Sequence, residues 1–229
     1  MQFTKTELSR LGPLAQLRAG RLTHRVAQLI AGLLLYGLTL AMMIRAGLGN
    51  APWDVLHQGL ARHLPITIGQ AVIGMSLLVL VLWIPLRELP GLGTILNSIF
   101  IGLAADVALA HIHTPASIAA RVALLLGGVL LNGLATALYI GSQLGPGPRD
   151  GLMTGLHRRT GWSIRHVRTS LEVVVVFFGW MLGGVLGIGT LVYALGIGPL
   201  THWLLPLFTV ELPGSDPSPL PTSLDSSEN

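Results

Sequence analysis

The residues Leu48 to Leu60, Leu-Gly-Asn-Ala-Pro-Trp-Asp-Val-Leu-His-Gln-Gly-Leu, are written a second time from Leu144 to Leu156 as Leu-Gly-Pro-Gly-Pro-Arg-Asp-Gly-Leu-Met-Thr-Gly-Leu. Gly49, Pro52, Asp54 and Gly59 return as Gly145, Pro148, Asp150 and Gly155, each 96 positions on. The register continues without a gap in both directions, and from Arg25 to Gly102 it gives 27 identities in 78 aligned positions. Shared hydrophobicity would align Leu with Val, but it would not bring Gly, Pro, Asp and Thr into step. The chain is therefore read as a doubled unit.

The unit belongs in a bilayer. Of the 229 residues 51% are hydrophobic and only 10% are charged, against about a quarter charged in soluble domains. Val26 to Ile44, Ile68 to Leu86 and Val122 to Ser142 are uncharged and about as long as a helix that crosses a hydrocarbon core. After Glu172 the chain runs 38 residues without Asp, Glu, Lys or Arg, about 57 Å as a single helix, so it has to fold back. Gly183, Gly184, Gly187 and Gly189 mark the place. Leu92 to Ala110, interrupted by Asp106, is supported as a span by its copy at Ile188 to Phe208. The fold class is thus all-α: a polytopic membrane protein with six transmembrane helices in two three-helix repeats, each with a short interrupted helix. Three crossings per copy is an odd number, so the second copy enters from the opposite side and the repeats are inverted.

The basic residues follow the same plan. Lys5, Arg10, Arg18, Arg21, Arg25, Arg87, Arg149, Arg158, Arg159, Arg165 and Arg168 fall on one side, and only Arg45, Arg62 and Arg121 on the other. This bias places both termini of a multi-pass membrane protein in the cytoplasm. It also makes the sequence pI near 10.3 a topology signal and not a nucleic-acid footprint. The division is 1–23 as a basic lead-in, 24–114 and 115–210 as the two membrane repeats, and 211–229 as a polar tail of disordered composition. The lead-in is read either as an amphipathic surface helix or as disordered.

Within each repeat the first helix is broken by glycine, at Gly47 and Gly49 in the first copy and at Gly145 in the second. Pro52 and Pro148 then suit the first position of a new helix, and Asp54 and Asp150 fall in its first turn, where a carboxylate meets free amide groups. Asp54 to Arg62 is long enough for a short helix only. Thr67-Ile68 and Ser163-Ile164 open the next helices, and Gly-x-Gly-Thr at Thr94 and Thr190 opens the last, placing a hydroxyl near a helix N-terminus.

Candidate site residues follow from this arrangement. Asp54, Asp150, Trp53, Arg149, Thr94 and Thr190 are candidates for substrate binding, and Gly49, Pro52, Gly145 and Pro148 shape the breaks. Asp106 and Glu172, ionisable groups in or at the edge of spans, are candidate proton or counter-ion groups. Each has a plainer reading. Asp54 and Asp150 could cap their helices and pair with Arg62 and Arg158, Asp106 could sit at a helix end, and Glu172 could pair with Arg168. There is no cysteine, no His-Glu-x-x-His, no phosphate loop and no nucleophile elbow, so no metal, no cofactor and no enzymatic activity is expected.

Leu-Gly-x-x-Pro-Trp-Asp-Val-Leu, Gly-Leu-Gly-Thr-Ile-Leu-Asn, Gly-Pro-Arg-Asp-Gly-Leu and Gly-Ile-Gly-Thr resemble the YczE/YyaS/YitT group of bacterial integral membrane proteins, nearest the YczE-like branch. The resemblance spans about Arg25 to Phe208. It implies an inner-membrane protein and lends no catalytic residue, cofactor or substrate. The expected function is a secondary transporter or permease of a small solute or ion working by alternating access, with the lipid bilayer as partner and no nucleic acid. The alternatives are a non-transporting membrane scaffold or accessory protein and, third, a channel.

Overall fold

A computed structural model describes residues 12–212. The N-terminal eleven residues of the lead-in and the tail from 213 lie outside them. The helices are α1 (Pro13–Arg18), α2 (Leu22–Ala46), α3 (Pro52–His63), α4 (Ile68–Leu86), α5 (Leu92–His111), α6 (Ile118–Gly141), α7 (Pro148–Thr160), α8 (Ile164–Met181) and α9 (Ile188–Phe208). The starts of α2 to α5 and of α6 to α9 are each 96 residues apart, so the sequence register is also a register of helix boundaries.

Local chemistry sets these starts. Thr67 accepts from the Gln70 amide while the Gln70 side chain returns a bond to the Thr67 amide, a capping box that answers two orphan donors of α4. Ser117 and Ser163 cap α6 and α8, and Pro52 and Pro148 begin α3 and α7. The fold-back after α8 falls at Gly183, whose φ is +79°.

α2 and α6 pack along the middle, with α5 against α2 and α9 against α6. α3 packs on α8 and α7 on α4, so each short helix rests on a long helix of the other half. Two side chains tie the central pair end to end. Arg25, at the start of α2 and fully buried, donates to the carbonyls of Ser142 and Gln143 at the end of α6. Arg121, 96 positions on at the start of α6, donates to those of Ala46 and Gly47 at the end of α2. α2 and α6 therefore run antiparallel, and each guanidinium meets the negative pole of the opposite helix. The backbone repeats the exchange: the Gly93 amide donates to Leu144 at 2.7 Å and the Gly189 amide to Leu48 at 2.8 Å.

A charged hydrogen bond contributes about 1.5–3 kcal/mol. Arg25→Gln is accordingly expected to lower stability by about 3 kcal/mol, and Arg121→Gln by roughly half of that because Arg121 is partly exposed and solvent screens it. Thermal unfolding of the detergent-purified chain checks both the size and the order.

Apolar side chains cover the outside, including Trp203 at 79% and Leu195 at 76% exposure, which water would not tolerate over so wide a surface. Among the described residues five helices are long and apolar enough to cross a membrane: α2, α4, α5, α6 and α9. Six were expected, and α8 is the difference. It has the length, but Arg165, Arg168 and Glu172 lie in its first half.

Candidate functional site

The two interrupted stretches lie between α2 and α3 and between α6 and α7. Gly49 and Gly145 there have φ of +117° and +120°, a conformation only glycine adopts readily. The turns aim the first residues of α3 and α7 inward, where Trp53, Asp54 and Pro148 are buried. Asp54 meets His57 Nδ1 at 3.2 Å, and Asp150 accepts from the Tyr139 hydroxyl at 2.7 Å. The pairing of these carboxylates with Arg62 and Arg158 does not occur. Eight residues along a helix is about 12 Å, and Arg62 instead donates to the Gly183 carbonyl while Arg158 pairs with Glu88.

Two hollows approach these residues. One, of about 50 Å³, lies among α2, α3, α4 and α5 and carries Asp54, His57, Ser76 and Asn97. The other, of about 330 Å³, lies among α6, α7, α8 and α9 and carries Asp150, Glu172, Thr201 and His202. Their walls correspond. Leu40, Asp54, His57, Ser76, Asn97 and Ile101 of the first stand 96 positions before Thr136, Asp150, Met153, Glu172, Tyr193 and Ile197 of the second. Trp53, Tyr139 and Arg149 border both hollows, and Trp53 and Arg149 are themselves equivalent positions.

All three tyrosines of the chain gather at this partition. Arg149 donates to the Tyr36 hydroxyl and lies 5.5 Å from the centre of the Tyr36 ring. The Tyr36 and Tyr193 hydroxyls are 3.5 Å apart, Tyr193 donates to Asn132 Oδ1 at 3.2 Å, and Asn132 Nδ2 donates to Thr39 Oγ1 at 2.8 Å. Thr39 closes the series on the Tyr36 carbonyl at 2.8 Å. Since Tyr36 accepts from Arg149 and Tyr193 donates onward, the Tyr36 hydroxyl donates to Tyr193. The run of donors is thus directed away from the guanidinium, each bond polarising the next. Among the described residues no carboxylate comes within ion-pair distance of Arg149.

The remaining candidates lie apart from the partition. Thr94 is fully buried, accepts from the Gly91 amide at 3.2 Å and donates to the Pro146 carbonyl at 2.7 Å. Thr190 accepts from the Gly187 amide at 3.4 Å. The Thr94 hydroxyl thus holds the turn of the second break, the Thr190 hydroxyl caps the start of its own helix, and neither residue lines a hollow. Asp106 accepts from the Thr67 hydroxyl and, at 2.8 Å, from the Gly69 amide, so it caps α4. Glu172 pairs with Arg168 at 2.9 Å, and both line the larger hollow. Tyr36, Tyr139, Tyr193, Asn132 and His57 were not among the sequence candidates. One signal for them was available: the equivalent of Tyr36 is Asn132 and that of Tyr193 is Asn97, so Tyr and Asn trade places between the copies. Among the described residues no group of three or more His, Cys, Asp or Glu could hold a metal ion.

Residues 23–206 match a family of unknown function, DUF6198, over nearly all of α2 to α9. The chain belongs to that family. This DUF6198 chain is 39% identical over 180 residues to an uncharacterized protein of Haemophilus influenzae, covering 79% of this chain and 83% of that one. It is 33% identical to the uncharacterized membrane protein YczE of Bacillus subtilis, over 77% and 83% of the two chains, and 26% identical to the uncharacterized protein YyaS of the same organism, over 77% and 90%. No solved structure matches it. The resemblance to the YczE/YyaS group is thus shown. Together with the apolar helices it makes this DUF6198 member an integral membrane protein.

Proposed function

We propose that this protein is a secondary transporter or permease that carries a small solute across the bacterial inner membrane by alternating access. The observation that carries the reading is the pair of hollows, lined at equivalent positions and meeting at Trp53, Tyr139 and Arg149. In inverted-repeat carriers a site near the midplane is reached from one side and then the other, and interrupted helices point their N-termini at it. The antiparallel α2 and α6, with their exchanged arginines, support inversion of the two halves. In this reading α8 is the sixth crossing, since Arg168 and Glu172 face the larger hollow instead of lipid, which is how charge is kept in a span. Six crossings with the basic bias of the loops put both termini in the cytoplasm. The larger hollow then faces inward and the smaller one outward, an inward-facing state.

The absence of cysteine from the chain makes a direct test simple. Ser76→Cys reports on the smaller hollow and Thr201→Cys on the larger. A membrane-impermeant maleimide should label Ser76→Cys only from the periplasmic side of oriented vesicles. It should label Thr201→Cys only from the cytoplasmic side, and faster. Labelling of both from the same face would overturn the proposal, and protection of both from either face would favour a non-transporting scaffold.

A further inference from the structure

We infer that the solute is a small zwitterion, a molecule carrying a carboxylate and an ammonium group a few bonds apart as an amino acid does, held at the partition formed by Arg149, Trp53 and Tyr139. The inference rests on the transport reading above and names its cargo.

Arg149 supplies the carboxylate end. Its planar guanidinium offers five N–H donors in a fork that fits a carboxylate. One of them is engaged by the Tyr36 hydroxyl, and no carboxylate of the described chain pairs with it. A guanidinium that borders both hollows with donors to spare is placed to take the carboxylate of a ligand. The ammonium end is met from both sides. Asp54 stands in one hollow and Asp150 in the other, and neither is paired with Lys or Arg. Trp53 and Tyr139, which border both hollows, add aromatic rings, a residue type that attracts an ammonium group.

The signs that face the hollows separate this class from its neighbours. Arg168 pairs with Glu172 and Asp54 meets His57, which leaves Asp150 and Arg149, of opposite sign, to face the solute. A plain anion would sit against carboxylates. A plain cation would be repelled by Arg149 and would leave its remaining donors without an acceptor. A zwitterion answers both signs, and as it moves from one hollow to the other it keeps Arg149 while exchanging Asp150 for Asp54. The larger hollow, about 330 Å³, is at the small end of ligand pockets, which suits a molecule of amino-acid size.

The test uses thermal unfolding of the detergent-purified full chain with three probes at millimolar concentration: the pooled standard L-amino acids; acetate, propionate and butyrate; and methylamine, ethylamine and propylamine. The amino-acid pool should raise the melting temperature by about 2–4 °C and the other two should not. Arg149→Gln should lose that shift, and so should Arg149→Lys, which keeps the charge but not the fork. If either unfolds without ligand, Asp150→Asn serves instead. A shift with the carboxylates alone, with the amines alone or with no probe overturns the inference. The sidedness of Ser76→Cys and Thr201→Cys labelling would survive that outcome, because it reports the hollows and not the cargo. A shift by amino acids with both cysteines labelled from one face would instead leave a zwitterion-binding protein that does not carry.

Discussion

Gly49→Ala is expected to lower the melting temperature by about 6–12 °C, following from a cost of about 3 kcal/mol or more at 2–4 °C per kcal/mol for a chain of this size. Two effects add. At φ of +117° an L-residue is strained beyond even the left-handed helical region. The new methyl would also stand 2.8 Å from the Gly187 amide nitrogen and 2.9 Å from that of Thr190. These are backbone atoms at the start of α9, which cannot rotate away. Gly145→Ala meets the same strain at φ of +120°, but its nearest atom is the Thr94 hydroxyl at 3.0 Å, so the cost should be smaller. Thermal unfolding of both variants in detergent gives the order directly. Shifts below about 2 °C in both would mean that the breaks are not held by these glycines.

Asp54→Asn and Asp150→Asn should each cut flux about 100-fold in proteoliposomes supplied with the amino-acid pool, while moving the melting temperature by less than about 2 °C. The flux figure corresponds to the loss of about 2.7 kcal/mol of charged hydrogen bonding to the solute. The substitution is nearly isosteric, and the amide oxygen still accepts from the Tyr139 hydroxyl at position 150. Folding is therefore largely left alone, and the charge that would answer an ammonium group is removed. A fall in melting temperature in both variants, with flux unchanged, would instead assign the carboxylates to holding helix ends together.

Much of the fold was legible because it is written in glycine, proline and hydroxyl residues at helix ends. Pro52, Pro148, Thr67 and Ser163 act through their own backbone turn, so their effect can be read from a few neighbouring residues. Other features are decided across the fold. Arg149 carries two readings in the sequence, a loop charge and a substrate-binding candidate, and only the folded chain places it on the border of both hollows. Arg168 and Glu172 interrupt the apolar character of α8, and that both line one hollow is not visible in a hydropathy average. The tyrosines escape a search for repetition because none of them recurs: Tyr36, Tyr139 and Tyr193 stand opposite Asn132, Met43 and Asn97. Repetition marks what both halves need, and the partition is where they differ.

Trp53 and Arg149 occupy the same place in the two halves and yet share one wall. Had the protein remained two separate copies of a single half, that wall would have held two tryptophans or two mutually repelling guanidiniums, since a symmetric dimer repeats every residue. With both stretches in one chain each position is free to differ, and an aromatic plate beside a guanidinium is an arrangement that a symmetric pair of identical halves could not present.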